Sequence, residues 1–270
     1  MYTVALNYIN TFFTAVQSIT CEINISTGFF RGVYLMCADE IFGGYPWFHK
    51  QEMWSADRFP WSMHMEPRQV LLKDDLIAQL PMDEYAAAAY EKTIRETPVL
   101  PGESAEEKRR REISFLNLKW FMVTLLDRMD RTSMYSGLEA RVPFADHRIV
   151  EYLWNVPWSM KYSGGIVKGL LRDAGQSVLP ADILWRRKSP YPKTYNPRYE
   201  KLLGDRLMEV LAEPNAPIRQ IVDVKKAEKF IKSPSDYGKP WYGQLMAGPQ
   251  MLAYMLQVNY WLEKYKIEIV

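Results

Sequence analysis

Apolar residues recur at three- and four-residue intervals along most of this chain, and a single stretch carries a β-favouring run, which predicts a mostly helical fold. Ala5, Ile9, Phe12, Phe13 and Val16 share one helix face near the start, and Ile113, Leu116, Trp120, Phe121, Leu125 and Met129 share another further on. With 48% hydrophobic, 14% aromatic and 24% charged residues the chain has the material for a large core, which excludes intrinsic disorder. Its 34 Lys and Arg against 32 Asp and Glu leave a formal charge of +2, too balanced to point to nucleic acid or to an acidic tail. The 270 residues accommodate one large domain or two modest ones. Cys21 and Cys37 are too few for a disulfide framework and are not spaced as a metal knuckle, so a reducing compartment is expected, cytoplasmic by default. The most apolar early stretch, Val4 to Val16, is interrupted by Asn7, Asn10 and Thr11 and lacks a basic leader; neither a signal peptide nor a membrane span is expected.

Within Thr27 to Cys37, Val33, Tyr34 and Leu35 read as a short strand ending just before Ala38-Asp39-Glu40, so the chemistry is expected at that strand's carboxyl end. Pro67 to Leu80 and Asp83 to Thr97 favour helices closed by prolines, with a loop from Pro98 to Gly102. Ser104 and Glu107 form a capping box for a long helix running through Met129. Lys108 to Arg111, set between Glu106, Glu107 and Glu112, read as a solvated face rather than a nucleic-acid patch. Asp146 is expected to cap a helix reaching about Asn155, and Gly175 to close one over Ile166 to Ala174. Further helices are expected over Arg198 to Ala212, Val224 to Lys232 and Trp241 to Tyr265. In this tail Trp241, Tyr242, Tyr254, Tyr260, Trp261 and Tyr265 are read as core, with a partner-binding surface as the alternative.

His49, His64 and His147 lack HExxH spacing, and the chain has no GxSxG elbow, no P-loop and no GxGxxG after a strand, which disfavours zinc hydrolase, serine hydrolase, P-loop NTPase and Rossmann dinucleotide chemistry. Ala38 to Tyr45 (ADEIFGGY) places two acids before two glycines. Either a carboxylate there holds Mg²⁺ on phosphate oxygens, or a helix start favours the acids through its dipole while the glycines serve a turn. Leu126 to Met134, followed by Gly137 to Phe144, alternates acids and arginines in an apolar frame, which suggests buried ion pairs. Trp185-Arg186-Arg187-Lys188 is either a phosphate clamp or an exposed basic turn. Ser163-Gly164-Gly165 reads as a turn, with an anion-holding helix start as the alternative.

Taken in order, DExFGGY at 39–45, DRxxxxSM and GLEARVPFxDHR between 127 and 148, Lys168 with Arg172, Leu179-Pro180 and WRxK at 185–188 strongly resemble the synthetase domain of glutamine-hydrolysing asparagine synthetases. The resemblance runs from about Val33 to Lys188 and is looser in the helical tail. It implies an α/β fold of the adenine nucleotide alpha hydrolase-like kind, of which this predominantly α-helical chain carries only a remnant of the parallel sheet. It also implies that ATP activates the β-carboxylate of aspartate as a β-aspartyl-adenylate, releasing pyrophosphate, and that ammonia drawn from glutamine displaces AMP. By motif match, Asp39 is implied as the Mg²⁺ carboxylate and Lys188 as the lysine touching pyrophosphate, with Arg128 a further catalytic cation. Glu40, Lys168 and Arg172 are implied on the nucleotide side, and Glu139 with Arg141 as a buried pair bracing the pocket wall. ATP and Mg²⁺ are the cofactors of such a site, aspartate and ammonia or glutamine its small partners. No nucleic acid or membrane partner is expected, and a homo-oligomer is compatible with the reading.

Three departures qualify the implied activity. Tyr2 follows Met1 where the family's glutaminase half exposes an N-terminal cysteine, so this chain is not expected to hydrolyse glutamine. Nothing upstream of Asp39 supplies the SGGxDS phosphate loop, and Ser163 to Gly165 lie on the wrong side of the motif to replace it; residues 1–270 are read as a partial synthetase domain. Where the family has Ser-Gly-Glu-Gly-Ala, this chain has Tyr34-Leu35-Met36-Cys37-Ala38, an apolar lining that opposes a charged intermediate. The expected function is an asparagine-synthetase-type amide ligase domain, inactive as this isolated chain. The alternatives are a non-catalytic helical scaffold, or an amidotransferase of the same family acting on another carboxylate.

Overall fold

The computed structural model describes residues 30–33, 37–187, 196–232, 240–241, 244–245 and 248–267; the helix expected over Ala5 to Val16 lies outside them. The chain forms two compact units, one of Met1–Asp57 with Tyr90–Lys188, the other of Arg58–Ala89 with Ser189–Val270. Helix dominates the described residues, as the periodicity predicts.

The first unit contains strands β1 (Phe30–Val33) and β2 (Leu138–Arg141) and helices α1 (Ala38–Phe42), α2 (Ala105–Leu116), α3 (Val123–Tyr135), α4 (His147–Trp154), α5 (Trp158–Lys161) and α6 (Gly169–Gly175). The two strands run parallel, Phe30 opposite Leu138 and Val33 opposite Arg141. Parallel neighbours cannot be joined by a hairpin, so the chain between them crosses over through helices. The expected strand thus starts earlier, at Phe30, and its partner is the Leu-Glu-Ala-Arg segment, which the sequence did not mark as a strand. A π-helical stretch, Asn117–Met122, joins α2 to α3 into one continuous rod. Packed against these elements are Ile41 and Phe42 of α1, Phe144, Ile149 and Leu153 of the segment after β2, and Leu170 and Ala174 of α6. The rings of Phe42 and Phe144 meet edge to face at 6.0 Å. Burying a side chain of that size contributes about 1.5–3 kcal/mol, so the Val-Pro-Phe turn plugs the core just beyond the carboxyl end of β2.

Two expectations about charge are corrected. Lys108 alone of the basic run is exposed. Arg109 donates to the carbonyls of Trp54 and Ala56 and to the Tyr90 hydroxyl, and Arg110 lies over the rings of Trp54 and Trp158 and donates to the Phe48 carbonyl. Arg111, 8% exposed, pairs with Glu103 at 2.8 Å and donates to the Trp154 carbonyl. Arginine suits this role because its stem packs on aromatic rings while its planar fork reaches carbonyls that the helices leave unbonded. Conversely, the pairs expected to be buried are not. Asp127 and Arg131 form an exposed i,i+4 bridge on the outer face of α3, and Glu139 and Arg141 pair at 2.7 Å but stay half-exposed. Residues two apart on a strand share a face, and this face of β2 is not sealed.

The capping box is also modified. The Ser104 hydroxyl accepts the N–H of Glu107 at 3.2 Å, but the Glu107 carboxylate accepts the N–H of Trp158 instead, 3.1 Å from each oxygen. Asp146 caps α4 as expected, accepting the Arg148 N–H at 2.9 Å. The helix expected from Ile166 starts only at Gly169, because Gly164, Gly165 and Lys168 all adopt positive φ. Gly175 is that helix's last residue rather than its cap. A Cβ there would come within 2.8 Å of Leu184, so close packing is what requires a glycine.

In the second unit α7 (Pro197–Ala212), α8 (Val224–Lys232) and α9 (Gly248–Tyr265) enclose Leu207, Leu211, Ile218, Phe230, Met251 and Leu252, with Leu71 also in this core. The helix expected over Pro67 to Leu80 is two short pieces, Glu66–Gln69 and Asp74–Gln79. Between them Leu72 bridges Val222: Lys73 donates its N–H to Ile221 and Asp223 donates to Leu71, so these backbone groups are satisfied by a partner strand rather than by a helix. The last helix begins at Gly248 rather than Trp241. Tyr254, Tyr260, Trp261 and Tyr265 are close to half-exposed or more, so the reading of these aromatics as core is corrected. Among the described residues no helix is long and apolar enough to cross a membrane.

Candidate functional site

The first unit brings Asp39 and Lys168 together. Asp39 lies in the first turn of α1, which Cys37 opens at φ 75° and Gly43 closes at φ 71°. Gly44 then donates its N–H to the Asp39 carbonyl at 2.8 Å, folding the glycine turn back over the helix start. Lys168 precedes α6 at φ 59°, and its Nζ stands 2.7 Å from Asp39 Oδ1, both side chains 22% exposed. A Cβ on Gly44 would fall 1.8 Å from Asp39 Oδ1 and 2.4 Å from Lys168 Cε, so only glycine admits this pair. The geometry matches the reading of this motif as a helix start with a turn: Asp39 and Glu40 occupy the first turn of α1, and the glycines fold the chain back.

Glu40, next to Asp39 in the chain, is buried. It is 2% exposed, Tyr45 donates its hydroxyl to Oε1 at 2.7 Å, and the buried Oε2 has no hydrogen-bond partner. Burial holds the Glu40 carboxyl above the usual carboxylate range, the Tyr45 bond opposing it only in part, and burial pushes the neighbouring Cys37 thiol up to about 12. The Tyr45 ring stacks on Trp47 at 4.4 Å and meets Phe121 of the π segment edge-on at 5.1 Å, which fixes the hydroxyl under Glu40.

Beneath the glycine turn lies an aromatic floor that the motifs did not announce. A Cβ on Gly43 would meet the Trp158 ring at 2.4 Å, so that indole packs flush against bare backbone. Trp158 stacks on Phe48 at 5.6 Å and carries the Arg110 guanidinium 4.5 Å from its centroid, while Glu107 holds its N–H. His49 Nε2 lies 2.7 Å from the Gly43 carbonyl. Burial lowers the His49 pKa, favouring the neutral ring, and because a carbonyl only accepts, Nε2 carries the proton.

The other expected site residues are distributed differently. Arg172, one turn into α6, donates to the carbonyls of Val167, Leu184 and Arg186 and lies 5.7 Å from the Trp185 ring, so its guanidinium ties down the start of the basic segment. Arg128 is exposed on α3 and forms no ion pair among the described residues. Lys188 lies outside the described residues. Among the described residues no group of three or more His, Cys, Asp or Glu side chains is placed to hold a metal ion. The signals for the floor were present as the two glycines and as the lone Trp158 after Pro157, but nothing in the sequence joined them.

The chain matches the asparagine synthase family over residues 36–263. It is 47% identical over 234 residues to asparagine synthetase [glutamine-hydrolyzing] 3 of Bacillus subtilis (strain 168), covering 86% of this chain and 38% of that relative. It is 39% identical over 94 residues to asparagine synthetase [glutamine-hydrolyzing] of Gallus gallus and 39% identical over 92 residues to that of Homo sapiens, covering 34% and 33% of this chain and 16% of each relative. The chain thus spans less than two fifths of the length of these relatives. A family match over most of the chain, together with 47% identity over 86% of it, leads to one conclusion: the chain belongs to the asparagine synthase family.

Proposed function

We propose that this chain forms part of the synthetase half of an ATP-dependent, asparagine-forming amide ligase, and that Asp39 and Lys168 stand at the pyrophosphate end of its nucleotide site. The single observation carrying the reading is the 2.7 Å contact of Asp39 with Lys168 just beyond the carboxyl end of a parallel strand. In parallel sheets of the implied nucleotide-binding kind, ligands sit outside the carboxyl ends of the strands. The substrates of this reading are ATP, aspartate and ammonia drawn from glutamine.

The donor set fits Mg²⁺ bound together with a nucleotide rather than by protein alone. Mg²⁺ is commonly held by one or two carboxylates with phosphate oxygens and water completing its shell, and Asp39 offers a partly exposed carboxylate here whereas Glu40 is buried. When bound, the ion stabilises the charge that develops on the departing pyrophosphate. Asp39 would hold it. Lys168 and Lys188 would supply cations to the phosphates, and Arg172, through its carbonyl contacts, keeps the segment leading to Lys188 in place. The Glu40–Tyr45 bond anchors α1, so the Asp39 carboxylate is presented at a set height.

Calorimetric titration with Mg²⁺–pyrophosphate tests this reading. Saturable binding that Asp39→Asn weakens about tenfold or more is expected, whereas no saturable heat with the native chain overturns it and favours the scaffold alternative. Aspartate-dependent exchange of labelled pyrophosphate into ATP is expected to stay at background for this chain alone, because the SGGxDS phosphate loop is missing from its sequence. Robust exchange would show that loop to be dispensable.

A further inference from the structure

We propose that Lys168 is a resident counter-ion that blocks the cation position on Asp39 until a polyanion draws its ammonium away. In consequence a divalent cation and a pyrophosphate group load this site together rather than independently. The proposal rests on the reading of Asp39 and Lys168 given above and adds a rule for how the site fills.

Three observations carry it. First, Nζ is already 2.7 Å from Asp39 Oδ1, on the one side chain that the metal reading uses, and the pair is mostly withdrawn from water. Mg²⁺ takes its oxygens at about 2.1 Å, and on one carboxylate in a partly dry site its two positive charges and the ammonium repel strongly, so each weakens the hold of the other. Second, Gly44 closes one side of the pair with bare backbone, so the ammonium cannot step aside there while the ion enters. Third, the root of the lysine is fixed. Its carbonyl accepts the Arg172 N–H at 3.0 Å and Gly169 donates to Ile166 at 2.9 Å, so only side-chain torsions carry the ammonium from Asp39 to a new partner. A lysine ammonium on its four-carbon stem is suited to such a transfer, where a bidentate arginine would not be. A phosphate arriving with the cation gives that ammonium somewhere to go, and by linkage each ligand then raises the affinity of the other by one factor.

The test measures two affinities on the full chain and looks for opposite signs. Lys168→Met should bind bare Mn²⁺, followed by electron paramagnetic resonance, at least about fivefold more tightly than the native chain, and Asp39→Asn added to it should abolish that gain. The same Lys168→Met chain should bind preformed Mg²⁺–pyrophosphate at least about tenfold more weakly. Lys168→Gln, which keeps a polar contact to Asp39, should move both affinities in the same directions and guards against a misfolded methionine variant. Unchanged or weakened Mn²⁺ binding by both variants overturns the counter-ion role. If Mn²⁺ binding tightens but the native chain takes up no Mg²⁺–pyrophosphate, the counter-ion role stands and the pyrophosphate reading of the site is what fails.

Discussion

Cys37 adopts φ 75° with a buried thiol, in the backbone region where a Cβ crowds the following carbonyl. Glycine is the residue that adopts this backbone region without steric cost. By burial alone Cys37→Val should be milder than Cys37→Gly. The left-handed backbone reverses that order: Cys37→Val should cost more than about 2 kcal/mol and Cys37→Gly less than about 1 kcal/mol in denaturant unfolding. Lys161 makes a second residue-scale case. It is buried near Arg111 and Glu107, and burial, with Arg111 adding to it, lowers its pKa from 10.5 to about 8. Between those values the unfolded chain binds the extra proton, so this group's contribution to stability rises with pH from about 8 to 10.5. Lys161→Met should therefore stabilise the protein by about 2–3 kcal/mol at pH 7, and the gain should shrink to nothing as pH passes 10.5. Neither residue's environment was visible in the sequence, because Lys161 has ordinary neighbours along the chain and acquires its setting from α2.

Among the elements, α2 shows how far local signals reach. Its start at Ser104 follows from capping chemistry, and its buried face from the spacing of Ile113 and Leu116, which Phe121 continues in the π-helical stretch. What its charges do follows from packing. Glu107 leaves its own cap to hold the N–H of Trp158, and three successive arginines tie α2 to Trp54, Phe48 and Trp154. Arg111→Ala should cost about 3–5 kcal/mol, since it strands Glu103 without its partner at a nearly buried position. Pairing Arg111→Met with Glu103→Gln should recover much of that loss in a thermodynamic cycle, whereas additive losses would show the ion pair to be unimportant. The solvated-face reading of this run failed because neighbouring acids in sequence say nothing about aromatic rings brought up from elsewhere.

At the scale of the molecule, each unit has its own apolar core, and the length of the chain had allowed either one domain or two. Leu207, fully buried on α7, belongs to the second core. Leu207→Ala should destabilise that unit by about 2–5 kcal/mol and reduce amide-exchange protection across α7 and α9. Helical character, most helix starts and stops, the turn at the two glycines and membership of the family were legible from the order of residues, because these depend on neighbours within a few residues or on ordered motifs. Tertiary structure alone decided that Leu138–Arg141 pairs with β1, that Lys168 meets Asp39 over Gly44, and that the arginines of α2 face inward. Contacts between residues distant in sequence depend on how helices and strands pack, and no local pattern of residue types encodes which distant partner will arrive.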